Sequence, residues 1–444
     1  MLWSILKRAP FIVALGLLAF IMSSCTMLGL NYASLETDNK PAAMPPIEAA
    51  SFDDWAAGRT ALKQAFETHV YGPWPAGLPV SFGETRRVEG ALGALGVLEE
   101  TPITLGTGEG ARTFQLAVAY PAFAPAGGVP VVIGQTFASN CSVFPAATLT
   151  APGGDQCDAD PMGGAIGVVG RYIFGEYIAE VPIEQYFRHG TAYATFYASE
   201  LVPDSSSAAP GILAGLAGEG GIAPTGTLMA WAFGFSAVAD FLEADSRIDS
   251  DRIAVFGHSR HGKAALLAGA WDARIDAVIA HQSGYGGAAS SRSTAGEGLR
   301  RMTRGGKLTP VGPAMPGYPH WFDPAYASYA GRLDELPVDQ HQLLALVAPT
   351  PVFLGNGRRD VWSDPNSTFR MAQAADQIYE LAGADGLDQT GMQDFNPAGD
   401  IAYFLRPGGH GTDKRDIAAF LAFLDAHFGV EPFTQGQGSI AAEH

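Results

Sequence analysis

From Thr191 onward, short strand-like runs alternate with stretches of helical period, and that alternation confines the chain to few folds. The strand-like runs are Thr191–Tyr197, Ile253–Phe256, Ala277–Ala280, Pro351–Leu354 and Ile401–Leu405. The helical patterns are Met229–Glu243, Lys263–Ala270, Thr368–Leu381 and Asp413–Phe428. A strand that returns through a helix to a parallel neighbour must cross one face of the sheet. The series therefore predicts an α/β protein with a mostly parallel central sheet and helices on both faces. Upstream, a helix is expected over Phe52–Val70, closed at Gly72-Pro73, and strands over Leu92–Glu99, Thr101–Leu105, Phe114–Tyr120 and Pro130–Ile133. No internal repeat and no long polar linker divides residues 51–430, which predicts a single domain. Residues 202–228 are rich in Ser, Gly and Pro and are expected to form a loop insertion that covers a site.

Composition removes several classes of function. With 47% hydrophobic and 16% charged residues, the chain is too apolar to be disordered. Lys+Arg 27 against Asp+Glu 45 gives a net charge of −18, which repels phosphate backbones and argues against a nucleic-acid partner. There are 3 Cys, and neither C-x-x-C nor H-E-x-x-H occurs, so the common metal signatures are missing and no metal site is expected. Gly106–Gly110 falls between two expected strands rather than before a helix, which disqualifies it as a phosphate loop.

The N-terminus points to export. Lys7 and Arg8 precede an apolar stretch, Phe11–Met22, too short to span a bilayer but suited to a signal peptide. Ser23 and Ser24 then lead into Cys25, a pattern that resembles a bacterial lipoprotein signal. The expectation is a signal over residues 1–24, a lipid on Cys25, a flexible tether over 25–50 and a C-terminal tail over 431–444. Plain secretion with cleavage near Ser24 is the other reading. Thr26, not an aspartate, follows the cysteine, which leans toward the outer membrane of a Gram-negative host. In an oxidising compartment Cys141 and Cys157 are expected to pair; the alternative is two separate buried thiols.

The chemistry is concentrated in Arg252-Ile-Ala-Val-Phe-Gly-His-Ser-Arg-His-Gly-Lys263. A buried strand runs into Gly257 and Ser259, then into a helix of small residues. This strand–tight turn–helix arrangement is a nucleophile elbow, as in the α/β-hydrolase fold, although the second glycine, Gly262, comes one place later than in G-x-S-x-G. The alternative is a serine that merely caps a helix. A serine needs a base, and the base an orienting acid. In that fold both follow the serine, each on a loop after a later strand. Asp360 follows Pro351–Leu354, and His410 follows Ile401–Leu405. His427 reads as structural, His258 and His261 lie too close to Ser259 along the chain, and Asp364 before Pro365 reads as a turn or cap.

Gly257-His-Ser-Arg-His-Gly-Lys263 resembles the G-[CH]-S-R-x-G-K signature of the glucuronoyl esterases, carbohydrate esterase family 15. Further blocks match in order: Gln282-Ser-Gly-Tyr-Gly-Gly-Ala288, Ser291-Arg292, Gly296-Glu297, Tyr318-Pro-His-Trp-Phe322, Leu336-Pro-Val-Asp-Gln-His341, Ala348-Pro349, Asp360-Val-Trp-Ser-Asp-Pro365 and Gly409-His410. They span roughly residues 229–412, with weaker similarity near Tyr71-Gly-Pro73. The resemblance implies a serine esterase acting on esters that join 4-O-methyl-glucuronic acid of xylan to lignin alcohols. It implies that Arg260 adds its guanidinium to the oxyanion hole, that Lys263 and Glu297 bind sugar hydroxyls and that Trp362 packs on the sugar. Each has a plainer role: a salt bridge for Arg260, a solvated first-turn residue for Lys263, a surface glutamate for Glu297, core for Trp362. Trp321 is read as core. Some family members carry a catalytic glutamate where this chain has Gln282; Tyr285 and Ser293 also depart from the common pattern, as in a divergent branch.

The expected activity is thus hydrolysis of a uronic acid ester by Ser259, His410 and Asp360, with no metal or organic cofactor and no protein partner implied. A second oxyanion donor is expected near Thr136 or Phe137. Two rivals fit the same residues: an esterase of the same fold for acetylated sugars, and a lipid-anchored glycan-binding protein that has lost catalysis.

Overall fold

Ten strands form one sheet: β1 (Val80–Phe82), β2 (Arg86–Arg87), β3 (Gly96–Leu105), β4 (Arg112–Pro121), β5 (Val129–Thr136), β6 (Ala192–Tyr197), β7 (Ile248–His258), β8 (Ala277–His281), β9 (Val352–Gly357) and β10 (Ile401–Arg406). Their spatial order is β1–β3–β4–β6–β5–β7–β8–β9–β10, with β2 beside β3. All pairings from β6 to β10 are parallel. This computed structural model describes residues 43–430 apart from 126, 145–147, 154–156, 158–173, 179, 222, 294–296, 308–313, 316 and 361. The expected signal, Cys25, most of the tether, Gly296 and the tail over 431–444 lie outside the described residues.

The parallel core matches the expectation; the N-terminal wing is antiparallel. The reason is connection length. Only the turn containing Gly108–Gly110 separates β3 from β4, enough for a hairpin and too little for a crossover. The two strands expected over Leu92–Glu99 and Thr101–Leu105 are one. Glu100 interrupts their apolar pattern, but it is buried inside β3, where it accepts the Thr150 N–H at 2.9 Å and the Thr150 hydroxyl at 2.7 Å and pairs with Arg86.

Alternate residues of the parallel strands feed two cores. Val131, Ile133, Ile253, Val255, Val278, Val352 and Leu354 face one. Val132, Ala254, Ile279, Phe353 and Ala402 face the other. The first is covered by α1 (Phe52–Phe66), α2 (Ala209–Gly220), α3 (Thr227–Leu242), α4 (Arg260–Trp271), α5 (Gln340–Val347) and α6 (Pro365–Leu381). The second is covered by α7 (Lys414–Phe428) and the short helix Ile183–Arg188. The Phe52–Val70 expectation is met by α1 and a π-helical turn, Glu67–Tyr71, ended at Gly72.

Residues 202–228 are a helix as much as a loop. Leu213 and Leu216 of α2 belong to the same core as Leu78 and Leu105, so this part of the insertion packs against the fold, while Asp204 at its start pairs with Arg260. Cys141 and Cys157 form a disulfide with Cα atoms 5.6 Å apart. Among the described residues, no helix is long and apolar enough to cross a membrane, and no group of His, Cys, Asp and Glu could hold a metal ion. The parallel strands end along one edge, and the chain reverses its strand order between β5 and β7. Clefts in open α/β sheets form at that position.

Candidate active site

Ser259 follows β7 with φ 57° and ψ −122°, a conformation non-glycine residues rarely adopt. Such strain costs of order 1–3 kcal/mol and persists only where its surroundings enforce it. Here the Ser259 N–H donates to the His281 carbonyl at 2.8 Å, and the Ser259 carbonyl accepts from Gly262 and Lys263 at 2.9 and 3.2 Å. Gly257 makes the turn possible, since a Cβ there would collide with the His261 carbonyl as α4 starts. The Ser259 side chain does not cap α4. Ser259 is half-buried. The first N–H groups of α4 lack intrahelical acceptors and lie beside it.

Asp360 follows β9 and is fully buried. One oxygen accepts from His410 Nδ1 at 2.7 Å. The other accepts the N–H groups of Trp362 and Ser363 at 3.0 and 3.3 Å, and the Ser363 hydroxyl also lies on the carboxylate. Burial alone would raise its pKa; His410 and the Ser363 donors outweigh that and hold it below the usual carboxylate range. With Nδ1–H donating to Asp360, the other His410 nitrogen, Nε2, is left as the basic one. The expected base and acid are therefore in contact at the strand edge that carries Ser259. Asp364 caps α6, accepting the Ser367 N–H at 3.1 Å.

The other histidines have different partners. The His258 ring lies 4.6 Å from that of His410, and its Nδ1 is 2.9 Å from His281 Nδ1. His281 continues to Asp416 at 3.1 Å, which also binds Arg406. Burial drives the His258 pKa well down, so it is neutral. His261 bonds Gln135 at 3.0 Å, and His427 donates to the Gly399 carbonyl at 3.3 Å.

Two cations sit beside the elbow. Arg260 pairs with Asp204, and its guanidinium lies 5.1 Å from the Trp321 ring, 5.5 Å from Phe137 and 5.7 Å from Tyr318. Its Nε is buried without a partner. Lys263 is 2% exposed and donates to the Ser283 carbonyl. Burial lowers its pKa to about 8, opposed by the nearby Glu297 carboxylate. Glu297 is half-buried, and burial raises its pKa although Lys263 and His410 pull it down. Trp362 is partly exposed, with its ring edge-on to His410 at 5.1 Å. The Thr136 hydroxyl donates to the Ala138 carbonyl at 2.6 Å, while Phe137 packs on His261 at 4.6 Å.

Several residues at the site escaped sequence reasoning. Trp321 is buried as expected, yet it is also a wall for both cations. Asp204, at the start of the insertion, accepts from His320 Nε2 at 2.9 Å and Trp321 Nε1 at 2.7 Å as well as pairing with Arg260. No local signal marks it, because its partners come from 56 and more positions away.

A serine at a strained strand–helix turn, a later aspartate and a still later histidine, each after a parallel strand in this order, are the arrangement of an α/β-hydrolase fold. The family model described as "Glucuronyl esterase, fungi" matches residues 173–383. A carbohydrate esterase from an unknown prokaryotic organism is 33% identical over 375 residues, covering 83% of this chain and 84% of that protein. The solved structure of a promiscuous CE15 esterase from the marine bacterial metagenome superimposes with a TM-score of 0.71 at 31% identity, covering 87% of this chain and 98% of that one. A 4-O-methyl-glucuronoyl methylesterase of Hypocrea jecorina is 36% identical, over 36% of this chain and 34% of its own length. The chain belongs to carbohydrate esterase family 15, the glucuronoyl esterases, and is a carboxylic ester hydrolase.

Proposed function

We propose that this enzyme cleaves esters of (4-O-methyl-)glucuronic acid, of the kind that link glucuronoxylan to lignin alcohols, through Ser259, His410 and Asp360. The observation that carries the reading is the 2.7 Å bond between His410 and the buried Asp360, on the same strand edge as the strained Ser259. His410 Nε2 takes the Ser259 proton as Oγ attacks the ester carbonyl. The oxyanion is held by the Arg260 N–H and guanidinium. Collapse expels the alcohol, which receives its proton from His410, and leaves an acyl-serine. His410 then deprotonates a water that releases the uronic acid and restores Ser259. Asp360 stays ionised and faces the imidazolium in both steps. Lys263 and Glu297 bind ring hydroxyls, and Trp362 packs on the sugar. The route uses no metal or organic cofactor. The buried Lys263 and the half-buried Arg260 favour a substrate dense in oxygen acceptors, and the curated fungal relatives are named for glucuronoyl esters.

The test is a substrate panel on wild type and Ser259→Ala. A benzyl ester of glucuronic acid is expected to be turned over with a higher kcat/KM than an acetyl ester, and Ser259→Ala is expected to lose about 10⁴-fold or more in kcat. Preference for the acetyl ester would move the substrate to acetylated sugars. No turnover, with no labelling by a fluorophosphonate, would leave a glycan-binding protein.

Export with a lipid on Cys25, facing the periplasm or the cell surface from the outer membrane, is a separate proposal. It is supported by the Lys7–Cys25 pattern and by a disulfide that suits an oxidising compartment. The expected result is a membrane-fraction protein whose N-terminal peptide, by mass, begins at a diacylglyceryl Cys25. An intact 1–24 segment or an unmodified Cys25 would refute it.

A further inference from the structure

Gln282 stands where β8 ends, with 1% exposure and, like Ser259, a positive φ, 49°, that non-glycine residues rarely adopt. A buried glutamine held in a strained conformation needs a compensating role, and its contacts supply one. Its carboxamide reaches the loop that carries His410 and bonds both flanks of that residue. Nε2 donates to the Gly409 carbonyl at 3.3 Å, and Oε1 accepts the Gly411 N–H at 2.7 Å. The main chain of the same residue faces the acid. Its N–H donates to the Gly355 carbonyl on β9 at 2.8 Å, and its carbonyl lies 3.0 Å from the Ser363 hydroxyl, which also touches the Asp360 carboxylate. Gly357 leaves room for this approach, since a Cβ there would stand 2.9 Å from Gln282 Nε2.

The geometry points to Gln282 as a positioning residue of the hydrolytic site, a crosspiece whose amide holds the His410 loop from both sides and in register with the Asp360 loop. The inference rests on the reading of His410 as the base. An amide suits the task because it offers one donor and one acceptor in a fixed plane. A carboxylate in its place can still accept from Gly411, but it has no proton for Gly409 and sets two oxygens against each other. The acceptor half would survive and the donor half would become repulsive. A methionine would lose both halves at similar volume.

The experiment compares wild type, Gln282→Glu and Gln282→Met in hydrolysis of benzyl glucuronate, with melting temperatures to establish folding. His410 lies among Asp360, His258, His281 and Glu297; burial lowers the pKa of both histidines, so the pH profile of each variant is read against the Asp360 and Glu297 carboxylates. Both variants are expected to lose about 10- to 100-fold in kcat, the scale for a displaced catalytic group, with KM within about twofold. In Gln282→Glu the acid limb of the kcat/KM profile is expected to move to higher pH, because a new carboxylate beside the loop favours the imidazolium; Gln282→Met is expected to show no such movement. Should Gln282→Met not fold, Gln282→Glu, which replaces a single atom group, carries the test. Wild-type kcat in either folded variant, or a faster Gln282→Glu, overturns the inference. Ser259→Ala and His410→Ala are run alongside. Activity surviving in them overturns the triad itself, whereas their loss of activity beside an unaffected Gln282→Glu overturns only the positioning role.

Discussion

Lys263 illustrates how one side chain is set against its surroundings. It lies in the first turn of α4, where the helix dipole opposes a cation, and it is 2% exposed. Burial brings its pKa down to about 8, with Glu297 opposing the shift. The group is an ammonium below that value and an amine above it. For a glucuronate ester KM is therefore expected to rise as pH passes 8, while an acetyl ester, which does not use the group, shows no such rise. Lys263→Met is expected to raise KM for the glucuronate ester by about 10-fold, the scale of a charged hydrogen bond, and to remove the pH step. Michaelis constants for both esters between pH 6 and about 9.5 would decide it, and an equal effect on the two esters would remove Lys263 from sugar recognition. Legibility at this scale was uneven. The places of Ser259 after β7, Asp360 after β9 and His410 after β10, and with them the contact of the last two, could be expected from chain order and flanking strands. Asp204 could not, since nothing near Pro203-Asp204-Ser205 announces that an arginine, a histidine and a tryptophan converge on it.

At the scale of elements, α5 escaped the helical reading altogether. Gln340–Val347 is buried at every position, so it has no polar face and no amphipathic period to detect. Its start is built around Asp339, which caps the helix, accepts the Ser291 N–H and the Ser290 hydroxyl at 2.7 Å each, and faces Arg292 at 3.2 Å. The pair is buried on both sides. Asp339→Ala would leave the Arg292 cation uncompensated and remove the cap, and is expected to destabilise the fold by about 3–5 kcal/mol. Asp413→Ala, at the more exposed cap of α7, is expected to cost about 1 kcal/mol. Urea denaturation of the two variants would show the difference; equal midpoints would mean that the buried pair adds nothing beyond a cap. Where a helix has two unlike faces, as α1, α6 and α7 do, its apolar spacing was readable, with ends shifted by a few residues by caps such as Asp364 and Asp413.

On the scale of the whole molecule, consecutive residues encode alternation, and alternation was enough to specify a mostly parallel sheet with helices on both faces, a serine at a strand–helix turn, and an aspartate and a histidine after later strands. Those properties depend on neighbours within about ten positions, where hydrophobic period and turn chemistry act directly. The antiparallel wing, the merging of two expected strands into β3 and the helix within residues 202–228 depend on what each segment packs against. The same holds for the site's second layer. Gln282 meets the flanks of His410, and Asp204 meets Arg260, because strands distant in sequence lie side by side in the order β6–β5–β7–β8–β9–β10 and deliver their loops to one edge. Strand order is set by the burial of two whole cores at once, a sum over contacts far apart along the chain, which is why no local pattern spells it out.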